Sequence, residues 1–292
     1  MAQKTSQKTA LVTGCSSGIG YCVAKELAKR GWKVFACARR LQPMQSLVEE
    51  YPDRIEIFSM DVSSVDSIEK GYQFVVSHLE DDKLDLLYNN AGSSCTFPAI
   101  DVPDEALTQC LAVNVEGPIR LTHKFSKLII NAQGTIAFTG SLAGVLPFPW
   151  GSVYGASKSA IHQYASILAF ELEPFNVHVL NFVTGGVKTN IADKRPLPED
   201  SIYNLPETRK SFADRQQMAV KNHPMEPSLY AIKAVNAIER RRMRTVNVYL
   251  GTGALPLTWV SWLVPRSFLL FCLRIKFGLN TVWEAIRHRK IL

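Results

Sequence analysis

The stretch that most constrains this 292-residue chain is residues 8–31. Residues 8–13 (KTALVT) form a short apolar, β-prone run. It meets Gly14-Cys15-Ser16-Ser17-Gly18-Ile19-Gly20, and a helical pattern then continues to Arg30 and closes at Gly31. Strand, glycine loop and helix in succession allow a tight turn, a close approach of backbone to a ligand, and close packing of helix on sheet. The helix N-terminus then offers free N–H groups and a positive dipole end to an anion. The spacing is T-G-x-x-x-G-x-G rather than G-x-G-x-x-G. Gly14, Ser16, Ser17, Gly18, Ile19 and Gly20 are the candidate contacts of a dinucleotide phosphate; a glycine-rich turn with no ligand is the plainer alternative.

The rest of the chain repeats the strand-then-helix rhythm. Residues 33–38 (KVFACA) predict a second strand, ending at Arg39-Arg40. NAD-binding domains usually place an acid there for the ribose 2′-OH, whereas an arginine pair suits a 2′-phosphate and hence NADPH. Residues 55–60 predict a third strand ending at Asp61-Val62. That carboxylate can accept from an adenine amine or cap the helix that begins near Ser64. Residues 84–88 predict a fourth strand, followed by Asn89-Asn90-Ala91-Gly92. Residues 104–131 read as helical, broken near Gly117-Pro118, with Asn114 in the middle, where asparagine is unfavourable. Residues 134–138 predict a fifth strand ending at Thr139-Gly140-Ser141. A helix follows over 152–175, then a strand over 176–183. Residues 191–227 look irregular and serve as a lid or binding loop of about 188–228. A helix over 230–240 and a strand over 245–250 complete the pattern.

Strands alternating with helices predict an α/β architecture, a Rossmann-type doubly wound parallel sheet around one core. Residues 1–253 would form a single NADP-binding domain and residues 254–292 a hydrophobic, membrane-associating tail. Asn90 and Ser141 then sit at the carboxyl edge of the sheet, where open α/β sheets bind ligands.

The helix over 152–175 carries Tyr154-Gly155-Ala156-Ser157-Lys158. At this spacing the phenol and the ammonium share one helical face, one turn apart. A tyrosine titrates near pKa ~10 by itself, and a neighbouring cation lowers that value, which brings proton transfer within reach. An ordinary helix face is the bland alternative for these two residues alone.

Composition narrows the classes. With 47% hydrophobic and 20% charged residues the chain suits a packed globular protein rather than a disordered one. Residues 233–292 hold 11 Lys+Arg and 2 Glu, so that segment carries +9 of a total +7. A nearly neutral body with a basic end argues against a nucleic-acid partner and for a local anionic one, such as lipid headgroups. The six cysteines show no CxxC pairing, which suggests a reducing compartment and no metal site. The first eight residues are polar, so no secretory signal is expected.

Taken together, TGCSSGIG, NNAG, Asn114, Ser141 and YGASK resemble the short-chain dehydrogenase/reductase family over residues 8–250. The resemblance implies a seven-stranded parallel sheet and a catalytic tetrad of Asn114, Ser141, Tyr154 and Lys158. In that scheme NADPH is the hydride donor, Tyr154 the proton donor and Ser141 the hydrogen-bond donor to the carbonyl oxygen. Lys158 would lower the tyrosine pKa and hold the nicotinamide ribose, and Asn114 would position a water. Val187 and Thr189 would lie on the nicotinamide side. Thr184 departs from the family, which often has proline there.

Six further segments (ACARRLQPM, KLDLLYNNAG, SCTFPA, GTIAFTGSLAG, ASKSAIHQYA and IADKRPLPEDSIYN) narrow the resemblance within the family. They resemble reductases of a lipid ketone flanked by an acyl ester and a phosphate, which yield lysophosphatidic acid. This implies a cytosol-facing location on the endoplasmic reticulum membrane and lipid droplets, and a possible homo-oligomer packed through the two long helices. A phosphate-bearing lipid needs a nearby cation, for which Lys188, Lys194, Arg195 and Arg209 are candidates.

Residues 255–273 hold one charge, Arg266, and two prolines, Pro256 and Pro265. A Pro-Arg pair inside the segment is costly in hydrocarbon, and Trp259 and Trp262 belong at an interface. Basic residues follow at Arg274, Lys276, Arg287, Arg289 and Lys290. A monotopic anchor or hairpin fits this pattern, with a segment folded over the substrate pocket as the alternative. Two other activities stay open. Gly14-Cys15-Ser16-Ser17-Gly18 also satisfies the G-x-S-x-G elbow of a lipid hydrolase, although none of the six histidines sits in a supporting motif. The same tetrad could also serve another apolar ketone, such as a steroid or retinoid.

Overall fold

The apolar runs become parallel strands, and their side chains alternate between two cores. The computed structural model describes residues 7–240 and 246–288. The strands are β1 (Thr9–Thr13), β2 (Lys33–Ala38), β3 (Ile55–Ser59), β4 (Leu86–Asn89), β5 (Thr135–Thr139), β6 (His178–Thr184) and β7 (Asn247–Leu250). They form one seven-stranded sheet in the order β3-β2-β1-β4-β5-β6-β7, every pair parallel. In β2, Val34, Ala36 and Ala38 enter one core while Phe35 and Cys37 enter the other. In β4, Leu86 and Tyr88 face the first core and Leu87 the second. Strands buried on both faces read as unbroken hydrophobic runs, because each face is covered by helices.

The helices are α1 (Gly18–Lys29), α2 (Gln45–Glu50), α3 (Val65–Ser77), α4 (Asp104–Leu111), α5 (Gly117–Ala132), α6 (Ser152–Leu172), α7 (Pro206–Gln216), α8 (Met218–Lys221), α9 (Pro227–Arg240), α10 (Ala254–Leu263), α11 (Arg266–Lys276) and α12 (Leu279–His288). Val23, Ala24 and Leu27 of α1 and Ala231, Ala234 and Val235 of α9 fill the first core. Ile68 of α3, Phe125 and Ile129 of α5, and Ile161 and Ala165 of α6 fill the second. The chain reverses direction between β1 and β4, so the crevice at their carboxyl ends is the topological switch point.

Two expectations are corrected. The helical region over 104–131 does not break at Gly117-Pro118. α4 runs into a π-helical turn, Ala112–Glu116, that contains Asn114, and α5 starts at Gly117. Pro118 sits in the first turn of α5, where a missing N–H costs little. Gly117 is required by crowding, since a Cβ there would lie 2.7 Å from the Val62 carbonyl oxygen. Second, the stretch over 191–227 is not irregular throughout. It holds α7 and the four-residue α8; in α7 the charged residues mask the helical period, since few of its residues are buried.

Among the described residues no helix is long and apolar enough to cross a membrane. Instead α10, α11 and α12 are short, separated at Pro265 and Gly278. Leu269, Leu273 and Phe277 of α11 pack on Leu142 and Leu146, with Phe148 and Met218 alongside. The segment is thus folded against the body beside the crevice. Residues 1–6, Thr245, Arg289 and Lys290, on which some expectations also rested, lie outside the described residues.

Gly20 in the first turn of α1 shows how tightly this corner is built. A Cβ there would lie 2.6 Å from the Gly14 carbonyl oxygen and would also strike the Asn90 amide. Gly20→Ala is expected to lower stability by about 1–3 kcal/mol, the usual cost of overpacking. It should also weaken NADPH binding, because the loop must move. Thermal melting with and without NADPH checks this; an unchanged melt and unchanged binding would refute it.

Candidate active site

A cavity of about 880 Å³ opens at the carboxyl edge, and nearly every expected contact lines it. At one end lie Gly14, Ser16, Ser17, Gly18 and Ile19. Gly14 and Gly18 have φ of +72° and +61°, the left-handed region that glycine tolerates best. Gly20 does not line the cavity; it packs behind the loop. Arg39, Arg40, Asp61 and Val62 line the next portion. Neither guanidinium has a hydrogen-bond or ion-pair partner among the described residues, so both are free for a phosphate. Asp61 uses one carboxylate oxygen, Oδ1, to accept from the Ser63 N–H at 2.9 Å and the Ser63 hydroxyl at 2.6 Å. Partial burial opposes charge on this carboxyl, but the Ser63 hydrogen bonds and the Arg39 charge hold it below its ordinary value. Ser64, not Asp61, caps α3, accepting from the Ser67 N–H at 3.2 Å.

Asn90 braces this end. Its Nδ2 donates to the Thr13 carbonyl at 2.9 Å, its Oδ1 accepts from the Thr139 hydroxyl at 3.1 Å, and its N–H donates to the Thr13 hydroxyl at 3.0 Å. The ends of β1, β4 and β5 are thereby joined. Val187 and Thr189 line the opposite wall, and the Thr189 methyl would lie 3.1 Å from a Cβ at Gly18. Thr184, the departure from the family pattern, exchanges a 2.8 Å hydrogen bond with the Tyr230 hydroxyl.

Ser141, Tyr154 and Lys158 meet on the cavity wall. Lys158 is buried on α6, and its ammonium donates to the Thr139 carbonyl at 2.8 Å. Burial lowers its pKa to about 8. The ammonium is 5.8 Å from the Tyr154 ring centre. Burial raises the Tyr154 phenol above its ordinary value, while the Ser141 hydroxyl and then the Arg215 charge act to lower it. In the protein alone the net shift is upward, opposite to what the Tyr–Lys spacing suggested, because desolvation outweighs both helpers.

Asn114 does not reach the cavity. Its Oδ1 accepts from the Ser93 N–H at 2.8 Å, and its Nδ2 donates to the Ser93 carbonyl at 2.9 Å and the Ser157 hydroxyl at 3.0 Å. The side chain is thus spent tying the 92–97 loop to the catalytic helix.

Two residues escaped the sequence. His162, one turn beyond Lys158, accepts at Nε2 from the Ser141 N–H at 3.1 Å. Burial, together with the Lys158 charge, pushes its pKa down to about 4, so it is neutral and able to accept. It fits there because positions 140 and 144 are glycine; a Cβ at Gly144 would lie 2.8 Å from its Cε1. Arg215 of α7 also lines the cavity. The four cations suggested by sequence do not. Arg195 is held by Asp193 at 2.6 Å, and Lys188 pairs with Glu226 at 3.2 Å. Lys194 and Arg209 line a separate, smaller cavity outside the crevice. Ser16 lies under the glycine loop, and none of the described hydrogen bonds joins it to a histidine, so nothing supports a hydrolase elbow.

With this geometry in hand, similarity to known proteins can be weighed. Residues 8–200 match the short chain dehydrogenase family. The chain is 50% identical over 289 residues, 99% of its length and 97% of the other, to the NADPH-dependent 1-acyldihydroxyacetone phosphate reductase of Saccharomyces cerevisiae. It is 36% identical over 206 residues, 68% of both chains, to the protein of that name in Schizosaccharomyces pombe. A short-chain dehydrogenase from Streptomyces avermitilis superposes with a TM-score of 0.80 at 27% identity, covering 94% of this chain and 99% of that one.

The depressed His162 pKa has a definite sign. The neutral form is favoured in the fold, so its contribution is complete above about 6.5 and is lost as pH falls toward about 4. In a melting series from pH 7 to pH 4, His162→Gln is expected to lose stability less steeply than the wild type. Parallel slopes would refute this.

Proposed function

The chain belongs to the short-chain dehydrogenase family, and on that premise we propose that it reduces the ketone of a 1-acyldihydroxyacetone phosphate with NADPH. The product is 1-acylglycerol 3-phosphate, a precursor in phospholipid synthesis. The observation that carries the chemistry is the meeting of Ser141, Tyr154 and Lys158 on the wall of a cavity that begins at the glycine loop. The substrate rests on the 50% identity to the yeast reductase along nearly the whole chain.

The residues fit the cofactor. Gly14 to Ile19 would take the pyrophosphate on the α1 N-terminus, and the unpaired Arg39 and Arg40 would take the 2′-phosphate. The free oxygen of Asp61 faces the same portion of the cavity. When bound, NADPH supplies a hydride to the carbonyl carbon. The protein's part is the other half of the reduction. The Ser141 hydroxyl donates to the carbonyl oxygen and stabilises the charge that develops there. The Tyr154 hydroxyl gives its proton to that oxygen as it becomes an alkoxide. The cationic Lys158, fixed by the Thr139 carbonyl, and the Arg215 charge stabilise the phenolate left behind. Neutral His162 keeps the Ser141 backbone in place.

Purified enzyme is expected to oxidise NADPH, and NADH far less, when given palmitoyl-dihydroxyacetone phosphate. Tyr154→Phe should reduce turnover at least about 100-fold, the scale of lost general-acid catalysis, with NADPH binding retained. Preference for a steroid or retinoid ketone in the same assay would replace the substrate reading and leave the mechanism standing. Turnover that survives Tyr154→Phe intact would sink the mechanism.

The tail supports a second reading. Its outer side exposes Trp259, Trp262, Leu263, Phe268, Phe271 and Ile275, beside the cations Arg266 and Arg274. An unpartnered apolar face edged by arginine is what a helix lying in a lipid interface presents. This face supports a membrane-surface location, and we propose the cytosolic face of the endoplasmic reticulum membrane and lipid droplets, as the resemblance implied. Exposed Ile167 and Phe170 on α6 support the expected pairing of two copies. Trp262→Glu with Phe271→Glu should abolish flotation with anionic vesicles while soluble activity persists. Undiminished flotation would overturn the membrane reading.

A further inference from the structure

The substrate end of the cavity contains a cation without a counter-ion. Arg215 has no carboxylate partner and no hydrogen bond among the described residues, and its Nε is buried with nothing to donate to. A half-buried, unpaired guanidinium with its Nε shut off from solvent is costly unless something outside the chain completes it. Its position is enforced. The guanidinium carbon is 5.7 Å from the Phe148 ring centre, and a Cβ at Gly151 would lie 2.9 Å from one of its terminal nitrogens. α7 is itself pinned to the catalytic helix's entry by the Trp150 indole, which donates to the Ser211 hydroxyl at 3.0 Å. The other cation at this end is Lys276, in the last turn of α11, and it too has no partner among the described residues. It adjoins Phe277, whose ring centre is 6.3 Å from that of Phe148. Arg215, Phe148 and Lys276 thus line the same cavity.

The carboxylates that line the cavity leave this charge uncancelled. They are Asp61, at the opposite end, and Asp193, which is occupied by Arg195. Beside the cations are apolar side chains, Leu142, Met218 and Leu257. An anion anchor next to an apolar wall matches a molecule with both a phosphate and an acyl chain. A planar guanidinium also meets a phosphate with two parallel hydrogen bonds.

We propose that Arg215, assisted by Lys276, is the binding site for the substrate's phosphomonoester and makes the enzyme prefer phosphorylated over unphosphorylated acyl ketones. The inference rests on the function proposed above for its substrate, but its test does not. Glycerol 3-phosphate should bind the NADPH-loaded enzyme and quench or shift nicotinamide fluorescence. In Arg215→Met that affinity should fall about 10- to 100-fold, the range for losing a hydrogen bond to a charged group. NADPH affinity should stay unchanged. In steady state, the ratio of kcat/KM for palmitoyl-dihydroxyacetone phosphate to that for palmitoyl-dihydroxyacetone should fall by the same factor. A change in Tyr154 acidity affects both substrates equally and cancels in this ratio. Arg215→Lys, which keeps the charge but not the fork, should fall between and carries the test if the Met variant does not fold. Arg215-dependent binding of glycerol 3-phosphate by an enzyme that does not turn over the ketone would support the anion site and overturn the proposed reaction. Affinity and ratio both unchanged in the variants would overturn the anion site and leave the reaction intact.

Discussion

The site depends on how the carboxyl ends of β1, β4 and β5 are tied together. Parallel strands end with unsatisfied backbone groups, and here Thr13, Asn90 and Thr139 satisfy them in one connected set. The Thr13 hydroxyl accepts from the N–H groups of Asn90 and Ala91, both at 3.0 Å. The Asn90 amide crosses from β1 to β5, and the Thr139 carbonyl takes the Lys158 ammonium. Because each group leans on the next, the glycine loop, Ser141 and α6 share one frame. A polar network pays for its burial only when fully satisfied, and the Asn90 amide uses both ends. The same logic explains Gly14, where a Cβ would lie 2.9 Å from the Ala91 Cα. β1 and β4 approach closely enough there that only glycine fits.

Charge in the crevice is arranged without mutual cancellation. Lys158 and Arg215 are enclosed and lack carboxylates, and His162, which accepts from the Ser141 N–H, stays neutral. Burial lowers the pKa of each cation and raises that of Tyr154, so the protein's own surroundings disfavour the ionised form of each. An anionic substrate and cofactor favour the charged forms of Lys158 and Arg215, and the Arg215 charge in turn opposes the burial that disfavours the Tyr154 phenolate. They bring the negative charge that the two cations lack, at the time when proton transfer from Tyr154 is required. The unfavourable electrostatics of the free enzyme and the favourable electrostatics of the loaded one are therefore one property.

What could be read from the chain divides along physical lines. The strands were legible because sheet residues buried on two faces form unbroken apolar runs; β2 falls on residues 33–38 as expected. The meeting of Ser141, Tyr154 and Lys158 was legible because they stand at a strand end or one helical turn apart, whereas Asn114, in a π-helical turn, stays outside the cavity. His162 and Arg215 were not legible, since each acts through a tertiary contact that leaves no local spacing. His162 depends on glycines at 140 and 144, and Arg215 on Gly151, positions whose importance is invisible until the backbone is folded. One signal was available for His162: it lies four residues past Lys158 and so on the same helical face. The lid cations misled for the opposite reason. Asp193 lies two residues before Arg195, a local pair that could have warned that this guanidinium was already engaged.

The tail joins two expectations that seemed exclusive. A segment can cover the pocket or sit on a membrane, and a short amphipathic helix has two sides. In α11, Leu269, Leu273 and Phe277 point into the body at a spacing of four, while Phe268, Phe271 and Ile275 lie on the outer side. Pro265 and Gly278 break the apolar run before it can become a spanning helix, and in doing so they keep α11 packed beside the crevice. The inner side also delivers Lys276 to the cavity. An acyl ketone held in a bilayer exposes its headgroup at the interface and keeps its chain in the hydrocarbon. With the outer side of α11 seated in that interface, the lipid need not cross bulk water to bring its phosphate to the cations and its ketone to Tyr154. Access from the membrane and recognition of the headgroup would then be two tasks of the same eleven-residue helix.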